Sequence, residues 1–69
     1  MASVPEIYPY IIESGTSRRL ITGTHSRMLR YANLGDLVEI GLVRYRLIEK
    51  LFDTEEGVIK LRFETVPKD

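Results

Sequence analysis

A chain of 69 residues with no cysteine and one histidine, His25, has room for a single domain. It excludes disulfides, thiolate-held zinc or iron–sulfur clusters and multi-histidine metal centres. Hydrophobic residues make up 43% and charged residues 29%, as in ordinary globular domains, and no apolar run approaches the roughly 18 to 20 residues that a membrane helix needs.

The net charge of zero hides an uneven distribution. Residues 1–13 carry Glu6 and Glu13 and no base, a net −2. Residues 14–46 carry Arg18, Arg19, Arg27, Arg30, Arg44 and Arg46 against Asp36 and Glu39, a net +4. Residues 47–69 return to −2, with four bases against six acids. Seven of the ten bases are arginine, whose planar fork suits multidentate contacts better than simple solvation. With no basic stretch leading into an apolar one at the N-terminus, no signal peptide is expected, and the expected location is cytoplasmic.

In chain order, residues 6–13 are rich in β-branched and aromatic types and read as a strand. Pro9 cannot donate to a ladder, which predicts an edge position or a bulge there. Residues 14–17 form a turn, and residues 18–22 a second strand. Residues 26–33 admit one or two helical turns, with Ser26 as N-cap and Asn33 or Gly35 near the stop, or equally a strand. Gly15-Thr16-Ser17-Arg18 is echoed by Gly23-Thr24-His25-Ser26-Arg27, which makes two similar turns rather than a repeat architecture.

The C-terminal half is clearer. Residues 36–40 read as a short strand, and Gly41-Leu42 as a two-residue turn in which the glycine supplies positive φ. In Val43-Arg44-Tyr45-Arg46-Leu47 the alternation is clean and places Tyr45 in the core. The phase slips at Leu47-Ile48, which predicts a bulge or sharp bend that lets a small sheet curl. The polar loop Asp53-Thr54-Glu55-Glu56-Gly57 closes a hairpin onto Val58-Ile59-Lys60-Leu61-Arg62-Phe63-Glu64, where apolar and charged residues alternate strictly. Strands at 36–40, 43–52 and 58–66 therefore form a meander. Five β segments joined by short polar turns predict an all-β fold, a small five-stranded SH3-like or OB-like barrel with one short helix or 3-10 turn near residues 26–33.

The run from Gly35 through Leu47 resembles the Gly-Asp-launched hairpin of many small barrels, among them translation and transcription modules and phage head–tail joining proteins. The stretch Gly35-Asp36-Leu37-Val38-Glu39-Ile40 is also similar to swapped-hairpin transcription regulators, without a clear match to their upstream basic loop. These stretches cover under a fifth of the chain and carry over no functional residue.

Chemistry-bearing patterns are sparse. Ser26, His25 and Asp36 supply the residue types of a hydrolytic triad without a nucleophile elbow, and phosphate-cradling glycine loops do not occur. Asp53, Glu55 and Glu56 lack the length and spacing of a calcium loop and read as a solvated turn. No catalysis, cofactor or metal is expected. Two binding functions fit the residues. One is a non-catalytic module acting by protein–protein contact, as an adaptor, inhibitor or assembly subunit: a domain this small gains most by covering an edge against a partner or a second copy. The other is a nucleic-acid-binding barrel. It would use Arg18, Arg19, Arg27, Arg30, Arg44 and Arg46 against phosphate and Tyr8, Tyr10 and Tyr31 for stacking. Arginines on an outward strand face also pair with acids across the sheet, Glu39, Glu49 and Glu64 being the candidates.

Overall fold

The computed structural model describes residues 5–20 and 23–67, with the side chains of residues 23–25 outside the description. Its elements are β1 (Glu6–Glu13), β2 (Thr16–Arg19), a 3-10 helix (Gly23–Tyr31), β3 (Leu37–Ile40), β4 (Val43–Asp53) and β5 (Val58–Val66). The helix begins earlier than the sequence suggests, and β2 ends at Arg19; Ile21 and Thr22 of the expected second strand lie outside the described residues.

The strands form one mixed sheet in the order β2-β1-β5-β4-β3. Pairing is antiparallel everywhere except between β1 and β5, which run parallel with Ile7 opposite Ile59 and Ile11 opposite Phe63. The three-stranded C-terminal meander is present as expected. The barrel is not: the sheet is open, with β2 and β3 as its two edges. The physical reason is length. Each edge strand has four residues, too few to complete a ladder between the two ends of the sheet.

Two hairpins follow directly from their turn residues. Ser14 and Gly15 both take positive φ, 51° and 79°, in a two-residue loop between Glu13 and Thr16, the geometry of a type I′ turn. Gly41, at 64°, occupies the first position of the Gly41-Leu42 turn between Ile40 and Val43.

Cross-strand partners share a face, so the register assigns the two sides of the sheet. On one side Ile7, Pro9 and Ile11 of β1, Tyr45 and Leu47 of β4, and Ile59, Leu61 and Phe63 of β5 are buried. Leu20 and Leu29 join them, and Ala32, Val38 and Ile40 pack at the margin. Tyr45 meets Phe63 edge to face at 6.4 Å. Pro9 lies inside the sheet rather than on an edge strand. It is tolerated because β2 stops beside Tyr10, so the missing N–H falls where the ladder ends, and the Pro9 carbonyl still accepts the N–H of Leu20 at 2.9 Å.

The expected phase slip is a bulge between Leu47 and Glu49. Its consequence is that Lys50, not an apolar residue, comes to lie opposite Leu61 on the core side. There its Nζ donates to the carbonyl oxygens of Arg30 at 2.8 Å and Ala32 at 3.1 Å. These carbonyls lie at the last turn of the 3-10 helix and just past it, where acceptors lack partners within the helix. The bulge thus pins the helix to the sheet.

Candidate interaction surfaces

The face away from the core holds most of the residues singled out from the sequence. Tyr8 and Tyr10 project from β1 on this side, ring centres 5.8 Å apart. Arg19 of β2 places its guanidinium 5.0 Å from the Tyr8 ring centre and donates to Glu6 at 3.3 Å. Lys60 and Arg62 of β5 are the register partners of Tyr8 and Tyr10. Apart from Arg62, these side chains, with Ser17, Val58 and Glu56, border a shallow depression of about 510 Å³. Sequence reasoning missed Lys60 and Arg62 here, because nothing local in a sequence announces a parallel pairing between its first and last strands.

The charges on this face cancel. It carries Arg19, Arg44, Arg46, Lys60 and Arg62 against Glu6, Glu39, Glu49, Asp53 and Glu64, five of each sign. Four of the five cations are paired: Arg19 with Glu6 at 3.3 Å, Arg44 with Glu39 at 4.0 Å, Arg46 with Glu64 at 3.9 Å and Lys60 with Asp53 at 3.5 Å. The remaining pair, Arg62 and Glu49, are register partners. The cross-strand acid–arginine pairing that the sequence allowed is thus realised at Glu39 and Glu64.

Of the other arginines, Arg18 does not join this group, and Arg27 and Arg30 meet it only beside Arg19 and Glu6. Arg18 stands on the opposite face, opposite Ile11, and its Nε donates to Glu13 at 3.0 Å. That hydrogen bond and the Glu13 charge raise its pKa, so its charge is secure and already partnered. Arg27 and Arg30 lie on the 3-10 helix and border a second depression that also touches Pro5, Glu6 and Arg19. Arg30 covers the ring of Tyr31 at 4.7 Å and donates to its hydroxyl; Tyr31 does not border the depression that Tyr8 and Tyr10 line. Asp36 accepts the N–H of Asn33 at 2.8 Å, a turn contact. The His25 side chain lies outside the described residues.

A second surface runs along the flank of β4. This strand has eleven residues, but β3 pairs only with its first four, from Val43 to Arg46. Two further hydrogen bonds, Gly35 N–H to the Leu47 carbonyl and Leu47 N–H to the Asp36 carbonyl, extend the contact to Leu47. Beyond the bulge, residues 49–53 pair with β5 alone among the described residues. Leu51 and Phe52 stand there 51% and 62% exposed, on opposite faces, and Leu34 and Leu37 are exposed on the segment that covers the first part of the strand; the bulge residue Ile48 is exposed instead beside a depression bordered by β5 and β1. Isolated exposed apolar residues need no explanation, but two in succession on an unpaired strand edge are unusual.

At the tip of the β4–β5 hairpin, Asp53 Oδ1 accepts the N–H of Glu55 at 3.2 Å and of Glu56 at 3.1 Å. The Glu56 N–H chiefly, with help from Lys60, holds the Asp53 carboxyl below its ordinary pKa. Among the described residues no group of three or more His, Cys, Asp or Glu is placed to hold a metal ion. No family model, curated protein or solved structure matches this chain.

Proposed function

We propose that the protein is a non-catalytic binding module that acts by protein–protein contact through the β4 flank. The observation that supports this reading is the exposed pair Leu51 and Phe52 on the stretch of β4 that pairs with β5 alone, with Leu34 and Leu37 exposed on the segment that covers the rest of the strand. Aromatic and aliphatic side chains of this kind lose the most water per contact when a partner covers them. A core of nine buried hydrophobic residues among the described ones, in a chain without cysteine to form a disulfide, is the setting in which covering an edge adds most to stability.

One observation favours a second reading, nucleic-acid binding on the opposite flank: the Tyr8–Tyr10 pair flanked by Arg19, Lys60 and Arg62 is a surface on which bases stack. The charge balance of that face weighs against it. A phosphate backbone would have to displace Glu6, Asp53 and Glu64 from their cations, whereas dedicated binders present uncompensated basic surface.

Site-specific photo-crosslinkers at Leu51 and at Tyr8, in the living host, separate the two. The first reading expects a discrete protein adduct from position 51 that disappears when Phe52 is changed to Lys, and no adduct from position 8. A nucleic-acid adduct from position 8 with none from position 51 reverses the ranking.

A further inference from the structure

The free edge of β4 suggests how a partner docks. Resting on the reading of the β4 flank as the contact surface, we infer that the flank accepts an extended segment of a partner protein as an added strand, and that this segment alternates apolar with basic residues. Residues 49–53 offer about 17 Å of backbone with a strand on one side only, enough for a short β-addition.

Two observations support this. Strand edges are usually guarded by a lysine held out into solvent, by proline or by a bulge at the edge itself. Here Lys50, the only cation between residues 48 and 53, spends its ammonium on the Arg30 and Ala32 carbonyls and so stands away from the edge. Phe52 offers an apolar contact on the core side of the sheet, and on the other side Leu51 stands between Glu49 and Asp53, so an added strand with apolar residues on one face and basic residues on the other meets a partner on each.

Charge sets the partner's character. Residues 49–56 carry Glu49, Asp53, Glu55 and Glu56 against Lys50, a net −3. Glu55 and Glu56 have no cation within ion-pair distance among the described residues. Lysine or arginine on the incoming strand finds acceptors at the hairpin tip. The same charge disfavours a second copy of this chain in antiparallel pairing about Leu51, which would set Glu49 against Asp53.

The test is an amide-resolved titration with a capped peptide of about eight alternating valine and lysine residues. A valine–glutamate counterpart and an N-methylated valine–lysine peptide, which cannot join a ladder, run beside it. The inference expects saturable binding of the first peptide alone, slowed amide exchange confined to residues 49–53, and about fivefold weaker binding by Leu51→Lys. Leu51→Thr, which keeps strand propensity at this half-exposed position, is expected to fall between the two. Equal binding of the N-methylated peptide, or protection mapped to another surface, overturns strand addition while leaving protein contact in place. Protection of residues 49–53 by concentrated protein without peptide makes the occupant a second copy and overturns the inference. The absence of binding by any peptide also overturns it, and the crosslinks from position 51 then decide separately whether the flank contacts protein at all.

Discussion

Replacing Lys50 with methionine removes one charged group and leaves the shape of the side chain nearly intact. Two donor contacts are lost, to Arg30 O at 2.8 Å and Ala32 O at 3.1 Å. A hydrogen bond to a charged group contributes about 1.5–3 kcal/mol; here water can reach the half-buried site and recover part of it, so the expected loss is about 1.5–2 kcal/mol. A domain of 69 residues has a total stability of about 3–10 kcal/mol, so this is a large share. The melting midpoint is expected to fall by about 6–15 °C. Urea denaturation followed by circular dichroism measures the change, with Arg44→Met as the control. That substitution breaks only an exposed ion pair at 4.0 Å and is expected to cost under about 0.5 kcal/mol. If Lys50→Met costs no more than the control, the bulge does not pin the helix in the way the geometry implies.

Three further outcomes are expected. Ser14→Asn, which places a residue tolerant of positive φ ahead of Gly15 in the type I′ turn, is expected to stabilise the protein by about 0.5 kcal/mol in the same urea assay. Leu61→Ala, at the fully buried centre of β5, is expected to cost about 3–5 kcal/mol and to leave little native protein at 37 °C by circular dichroism. Because the Asp53 pKa is depressed on folding, its contribution is present above the ordinary carboxylate range and is lost as pH falls through that range to the folded value. The melting midpoint of the wild type is therefore expected to fall more steeply than that of Asp53→Asn between about pH 5 and pH 2.

Local features were legible in the sequence. The alternation in β5, the two-residue Gly41-Leu42 turn, the burial of Tyr45 and the bulge after Leu47 all follow from spacing and turn chemistry, which act over a few residues. What was not legible depended on distance along the chain. The parallel pairing of β1 with β5 brings Lys60 and Arg62 beside Tyr8 and Tyr10, yet the partners are some fifty residues apart and carry no mutual signal. The open sheet follows from the shortness of β2 and β3, and strand ends are where propensity is weakest. The arginine set offered for phosphate contact is divided between two faces of the sheet and the helix. Most of its members on the sheet are neutralised by acids that lie across a strand and not beside them in sequence.

Amide hydrogen exchange of the free protein, resolved residue by residue by nuclear magnetic resonance, tests the open β4 edge most directly. In residues 49–53 an open edge predicts alternation: amides directed at β5 are protected, and those directed outward exchange at nearly the rate of an unstructured chain. Residues 59–63 of β5, flanked by strands on both sides, are expected to be protected throughout. Uniform slow exchange across residues 49–53 would contradict an open edge and remove the surface on which the proposed function rests.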